Sequence, residues 1–258
     1  MQILSSLISV LLTGYLIWEI ARFVPRFRKL KEDIANGDPQ ARMKVYWHAV
    51  VFEWVSALLA MIALGFNWSK LNPANIGLDA SLFSALPNSR EFNNSSLGGV
   101  LIGMAAGTVF FIILRLRANR RGGVPSNNLI AAWFRKLMPD FSALLPTTNQ
   151  ERLLWVVVAL SAGICEEIVF RGWLLNTLHS FGFVGTALIA VGAVLFGCAH
   201  TYQKIPGVIL TGLAGAFFCV LYVKTGSLLI PIILHIIVDL RFAFLPAPKI
   251  AQLAPAAS

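Results

Sequence analysis

Two adjacent glutamates and an arginine interrupt an otherwise apolar stretch, "SAGICEEIVFRGWLL", at residues 161–175. An ionisable side chain at the centre of a bilayer costs at least about 2.5 to 3.5 kcal/mol on insertion scales, so such groups usually pair with one another or face a water-filled cavity. Glu167 precedes Arg171 by four residues, the favourable order for a helical ion pair, whereas Glu166 points about 100° away. We therefore expect Arg171 to hold Glu167 while Glu166 faces a polar cavity as a general base. The alternative is that Glu167 and Arg171 form a purely structural ion pair and that Glu166 has no catalytic role.

Two further clusters of ionisable residues lie in apolar segments of the C-terminal half. The stretch "FGCAH" places Phe196 and His200 four residues apart, and "HIIVD" does the same for His235 and Asp239. Residues four apart share one face of a helix. Taken alone, His200 is more often structural, and the His–Asp pair can be a hydrogen-bond clamp between helices. Together with the glutamate pair, the clusters form a set suited to hydrolysis, because carboxylates and imidazoles can position and deprotonate a water molecule.

In this order, the three clusters resemble the motifs of the CPBP family of intramembrane proteases, also described as the CAAX-protease and bacteriocin-processing (ABI) family. The family motifs are E-E-x-x-x-R, F-x-x-x-H and H-x-x-x-(N/D), and here they read "EEIVFR", "FGCAH" and "HIIVD". The resemblance covers roughly residues 153–244. It includes "YVKTGSLLIPIILH", which is similar to the family's linker into the last motif helix. The resemblance implies an intramembrane endopeptidase.

The resemblance also implies catalytic roles for four residues. Glu166 and His200 would position and deprotonate the attacking water, and His235 with Asp239 would face the developing oxyanion. Many relatives carry Asn at the last position, where its amide can donate a hydrogen bond to that oxygen. An ionised Asp239 cannot donate, so we expect it to orient His235 unless it is held protonated. The residues expected to support these four are Glu167, Arg171 and Phe196.

A metal cofactor is left open by the sequence. Glu166, His200 and His235 are adequate ligands for one divalent metal such as zinc, with the fourth position left for water, and relatives are often labelled metalloproteases. The H-E-x-x-H helix of the zincins is absent from the sequence. In the alternative without a metal, glutamate and histidine hold the water directly, and we favour this alternative.

The elements that must position these residues are membrane helices. The chain is 57% hydrophobic and 13% charged, with a mean hydropathy of +0.72, which is typical of a polytopic membrane protein. We predict an all-α bundle of about seven spans, since apolar segments of about bilayer length recur along the chain. These segments are residues 3–20, 46–66, 99–114, 153–178, 184–199, 207–223 and 227–244.

Helical rise places His200 several ångströms closer to the cytoplasm than Glu166 and His235 if the spans alternate. A helix tilt would absorb this difference in depth. A break at Gly163 would also do so, because the fourth apolar segment is longer than one crossing needs.

Lysine and arginine concentrate in residues 21–44 and 115–152, which predicts cytoplasmic loops, an external N-terminus and a cytoplasmic C-terminus. Within the second of these, residues 129–137 have the spacing of an amphipathic interfacial helix. The predicted regions are an N-terminal transmembrane region with cytoplasmic basic loops, a catalytic core and a flexible tail, at residues 1–150, 151–245 and 246–258.

The net charge of +9 raises the question of a nucleic-acid partner. The basic residues are spread over cytoplasmic loops, so anionic lipid headgroups explain them better, and we expect no nucleic acid. The expected partners are membrane lipids and a membrane protein, peptide or lipidated peptide as substrate. The expected location is a bacterial plasma membrane.

Two alternatives to a protease use the same residues. A proton-coupled transporter can relay protons through buried Glu, His and Asp, but it more often shows repeated halves. A non-catalytic immunity or adaptor protein could share the protease scaffold. Glu53 lies in the second apolar segment and has two possible roles. It contacts the substrate or acts as a gate, or it is a structural residue paired with a basic group at the bundle surface. We favour the structural interpretation.

Overall fold

The structure is a computed structural model that describes residues 2–64 and 141–244. Every element in these two ranges is helical, which confirms the predicted all-α fold. Among the described residues, four helices are long and apolar enough to cross a membrane, so the predicted number of about seven spans is not confirmed. The predicted span at 99–114, the interfacial helix at 129–137 and the tail at 246–258 lie outside the described residues.

We number the described α-helices α1 to α7 in chain order. They are α1 (Gln2–Ala35), α2 (Ala41–Ala63), α3 (Asn149–Glu167), α4 (Leu175–Ser180), α5 (Gly185–Ala199), α6 (Lys204–Thr225) and α7 (Leu229–Leu240). A π-helical segment, Ile168–Leu174, joins α3 to α4. Short 3₁₀ turns lie at Phe141–Leu144, Thr201–Gln203 and Arg241–Phe244.

The first helix is longer than the apolar pattern predicted. Most of the basic range 21–44, which we expected to be a loop, continues α1 or begins α2, and only five residues, 36–40, connect the two helices. Lysine and arginine are good helix formers, so a charged segment can extend a membrane helix into the headgroup region. The connection turns at Gly37, whose φ of +80° favours glycine, and Lys44 Nζ pairs with Asp38 at 2.7 Å.

The helix that carries the two glutamates is continuous from residue 149 to residue 180. It begins with a capping box, in which Thr148 accepts from the backbone N–H of Glu151 and the Glu151 carboxylate accepts from that of Thr148. The helix does not break at Gly163. A side chain at Gly163 would meet the backbone nitrogen of Ile236 at 3.0 Å, so glycine here lets α7 approach α3 closely.

This close approach yields a prediction for Gly163→Ala. The added methyl group pushes α7 away from α3, so we expect thermal stability in detergent micelles to fall by about 1 to 3 kcal/mol. The matched control is Gly14→Ala, because a side chain at Gly14 meets nothing within 4 Å. Alanine forms helix better than glycine, so this control should be as stable as the original protein or slightly more stable. Equal stability of the two variants would contradict the close packing.

Helices α5 and α6 form an antiparallel pair with equally close contact. A side chain at Gly197 would meet the backbone oxygen of Val208 at 2.8 Å and the Cα of Gly212 at 3.3 Å. The chain leaves α6 through Gly226, which has a left-handed φ of +67°, and enters α7. Helix α7 is thereby set between α3 and α6. The carboxylates of α3 and the histidine of α7 consequently face each other inside the bundle.

Candidate active site

The ion pair predicted on the fourth apolar segment is present and fully buried. Arg171 Nη1 donates to Glu167 Oε1 at 2.9 Å, and both side chains have no exposed surface. The second terminal nitrogen, Nη2, donates to the backbone oxygen of Gly215 on α6 at 3.2 Å. The guanidinium carbon lies 4.3 Å from the centre of the Phe196 ring, a cation–π contact. Arg171 therefore ties α3, α5 and α6 together behind the site.

The π-helical segment starts directly after Glu167 and contains Arg171. A π-helix closes hydrogen bonds between residues i and i+5, so it changes the rotation of the helix that follows, and such segments occur frequently at functional sites. Sequence spacing had predicted an ordinary α-helix here. The Glu167–Arg171 pair forms despite this change, because the side chains are long enough to meet.

His235 lies against the other side of the same carboxylate. Its Nδ1 is 2.8 Å from Glu167 Oε1, and because a carboxylate only accepts hydrogen bonds, Nδ1 carries the hydrogen. Its ring stacks on Phe218, with ring centres 5.3 Å apart at 21°. Its Nε2 is 3.8 Å from Glu166 Oε2 and 3.6 Å from Asp239 Oδ2. Glu167 and Phe218 thus hold the imidazole so that Nε2 points toward the two partly exposed carboxylates.

His200 follows the last residue of α5 and is oriented by the backbone. Its Nδ1 lies 2.9 Å from the carbonyl oxygen of Phe196, four residues earlier. A carbonyl oxygen can only accept, so Nδ1 carries the hydrogen, and Nε2 of the neutral ring keeps a free electron pair. The F-x-x-x-H motif therefore supplies both the aromatic ring beneath Arg171 and the carbonyl that fixes the histidine.

The four predicted catalytic residues line one cavity of about 1060 Å³ between the helices. Glu166 and Asp239 keep 21% and 25% of their side-chain surface exposed, whereas Glu167 is fully buried. Most of the remaining lining is aliphatic or aromatic. The structure thus brings together Glu166, His200, His235 and Asp239 from three separate helical segments, while their catalytic roles stay a prediction.

The predicted metal ligands are Glu166, His200 and His235. A catalytic zinc needs three protein ligand atoms about 2.0 to 2.3 Å from the ion. Among residues 2–64 and 141–244, no group of three His, Cys, Asp or Glu side chains is arranged to hold a metal ion. Glu166, His200 and His235 as arranged do not fit a metal, so no chemical step is assigned to one.

Glu53 and Ser56 are cavity residues whose position the sequence interpretation missed. Glu53 lies on α2, is 8% exposed and lines the same cavity, so it is not at the bundle surface, where we expected it to pair with a basic group. Among the described residues, its Oε2 has no hydrogen-bond partner, and neither does the buried hydroxyl of Ser56 one turn later. The signal was available, because an ionisable residue in the middle of an apolar segment is itself a mark of a functional site.

Comparison with known proteins gives one family. A family model described as type II CAAX prenyl endopeptidase, Rce1-like, matches residues 148–241, a range that contains all three motifs. Neither the curated proteins nor the solved structures give a match. Together with the four long apolar helices, the match shows an integral membrane protein. It also supports the predicted family, because residues 148–241 of this chain are similar to the type II CAAX prenyl endopeptidases.

Proposed function

We propose that the cavity is the active site of an endopeptidase that cleaves a peptide bond of a membrane-associated substrate. Glu166 and His200 activate the water, and His235, oriented with the help of Asp239, stabilises the oxyanion. The observation that supports this proposal is the convergence of all four side chains on one largely apolar cavity. A carboxylate and an imidazole on such a surface can hold a water molecule beside a bound peptide.

The water is held by two acceptors. One hydrogen of the water is donated to a Glu166 oxygen and the other to the free Nε2 of His200. As the water oxygen attacks the substrate carbonyl carbon, Glu166 takes up a proton, and the carbonyl oxygen gains the negative charge. Glu166 then returns this proton to the leaving nitrogen as the C–N bond breaks. The products are a carboxylic acid, which keeps the second proton of the water until it ionises in solvent, and an amine, so the step needs no redox partner.

The oxyanion is stabilised by His235. When the ring carries both protons, Nδ1–H donates to Glu167 and Nε2–H is available to the substrate oxygen. The separations of Nε2 from Glu166 and Asp239, 3.8 and 3.6 Å, exceed those of hydrogen bonds, so neither carboxylate occupies this donor. Asp239 therefore acts through its charge and position, holding the imidazolium without competing for Nε2–H.

The cavity suits an apolar peptide. Ligand pockets typically measure about 300 to 1,000 Å³, and this one, at about 1060 Å³, is slightly larger than that range. Such a volume can hold several residues or a short peptide with an attached lipid. The family described as CAAX prenyl endopeptidases makes a peptide ending in Cys-aliphatic-aliphatic-X, with or without a prenyl group on the cysteine, the first substrate to try.

The test is hydrolysis by the purified protein in liposomes after removal of metal ions. The probes are a farnesylated fluorogenic peptide ending in Cys-aliphatic-aliphatic-X and its unfarnesylated counterpart, with the products identified by mass spectrometry. We expect cleavage of at least one probe to continue within about twofold after chelation, with metal content checked by elemental analysis, because two side chains hold the water directly. Failure to cleave either probe would contradict the endopeptidase proposal. Activity that is lost on chelation and restored by zinc would contradict the metal-free chemistry.

A further inference from the structure

Two polar atoms on α2 are buried without partners in the described part of the chain. Glu53 is 8% exposed and Ser56 is 2% exposed, yet neither Glu53 Oε2 nor Ser56 Oγ has a hydrogen-bond partner in residues 2–64 or 141–244. Both side chains line the cavity that contains Glu166. Because they are three residues apart on one helix, they are neighbours on the same face, about 5 to 6 Å apart at Cβ.

Unpartnered buried polar atoms are unfavourable, so they mark places where a ligand supplies the missing partner. Glu53 differs in this respect from Glu19, the buried carboxylate of α1. Glu19 Oε2 accepts from Arg26 Nη1 and lies against His48 Nε2, each at 2.9 Å. The carboxylate of α1 is therefore satisfied within the protein, whereas Glu53, a residue of the cavity lining, has a buried oxygen with no partner among the described residues.

Helix α2 packs directly against the helix that carries Glu166. It packs against α3 and the π-helical segment, and Trp54 Nε1 donates to Ser161 Oγ on α3 at 3.0 Å. Glu166 and Asp239 are near enough to act electrostatically on Glu53. Glu53 and Ser56 therefore line the same cavity as Glu166, on a helix that packs against α3.

We propose that Glu53 and Ser56 bind the main chain of the substrate peptide. Glu53 accepts a hydrogen bond from a substrate N–H, and the Ser56 hydroxyl donates to a substrate carbonyl oxygen. A carboxyl group offers an acceptor oxygen whether or not it is protonated, and a hydroxyl can donate, so the pair matches the two polar groups of a peptide backbone. This inference rests on the endopeptidase function and makes the two residues positioning residues for the scissile bond.

The test compares Glu53→Leu, Glu53→Gln and Ser56→Ala in the peptide-hydrolysis assay. Leucine removes the acceptor, so KM should rise about tenfold while kcat changes less than about twofold. Glutamine keeps an acceptor oxygen and should stay within about threefold of the original KM. Ser56→Ala should raise KM about fivefold. The control is Glu32→Leu, since Glu32 is exposed on α1 and outside the cavity lining.

A second measurement separates binding from a structural role. The substrate peptide is methylated at one main-chain nitrogen at a time, which removes one N–H donor in each peptide. For one of these peptides, KM should be about tenfold higher than for the unmethylated peptide with the original protein, but the same as for the unmethylated peptide with Glu53→Leu. If every methylation affects both proteins equally, or if Glu53→Leu lowers only kcat, the inference is overturned while the endopeptidase function stands. Absence of any hydrolysis that depends on Glu166 would overturn both.

Discussion

Glu166→Gln lowers kcat for peptide hydrolysis by about 10³-fold and leaves KM within about threefold. Glutamine has nearly the same shape as glutamate and can still hydrogen-bond a water molecule, but it cannot take up the proton released when that water attacks. Removal of a general base typically costs 10²- to 10⁴-fold in rate, and the expected loss lies in the middle of this range. Because the side chain faces the cavity with 21% of its surface exposed, the substitution leaves no unpaired charge in the packed core.

The measurement is steady-state hydrolysis of the fluorogenic peptide by proteins reconstituted at equal density. The matched control is Glu32→Gln, on an exposed part of α1, which should keep full activity. His200→Ala should lose activity to a similar degree, whereas His179→Ala, on α4 and outside the cavity lining, should not. Full activity of both Glu166→Gln and His200→Ala would exclude the proposed water activation. Proton flux that depends on Glu166 without peptide cleavage would favour the transporter alternative.

The contacts made within single helices were predictable from the sequence. Glu167 and Arg171 are four residues apart, and this spacing alone predicted the ion pair that is found at 2.9 Å. The same spacing put His235 and Asp239 on one face, where their side chains lie 3.6 Å apart. Local spacing fixes such contacts because the helix is rigid over one turn.

The contacts made between helices were not predictable in the same way. The bond from His235 to Glu167 joins residues 68 positions apart and depends on how closely α7 approaches α3 at Gly163. Spacing along α2 also could not show which of its faces lines the cavity, so Glu53 was assigned to the bundle surface. The π-helical segment after Glu167 is a departure from α-helical hydrogen bonding that apolar periodicity does not encode.

The length of the membrane helices was only partly encoded by hydropathy. Apolar segments marked where helices occur, but α1 continues through basic residues to Ala35, because helix propensity and hydropathy are separate properties. Conversely, α5 and α7 have 15 and 12 residues, fewer than about 20 needed to cross a bilayer.

Removing Arg171 should have the largest effect on stability. Arg171→Met keeps an unbranched apolar stem but leaves the fully buried Glu167 carboxylate without its cation. Breaking a buried ion pair from one side typically costs 3 to 5 kcal/mol, so we expect the free energy of unfolding in detergent micelles to fall by about that amount. The same substitution removes the donor to the Gly215 carbonyl, which loosens α6 against α3.

Replacing both partners separates stability from catalysis. Glu167→Leu combined with Arg171→Met removes both charges of this pair. It also removes two buried atoms, Glu167 Oε2 and Arg171 Nε, that have no hydrogen-bond partner among the described residues. Apolar replacement of a whole buried pair is often neutral or stabilising, so the double variant should recover most of the lost stability. Its kcat should nevertheless stay about 10²-fold low, because His235 Nδ1–H has lost the carboxylate that holds the ring toward the cavity. A double variant that recovers both stability and kcat would show that Glu167 contributes only to folding. Recovery of stability with a low kcat would show that Glu167 also orients His235 for catalysis.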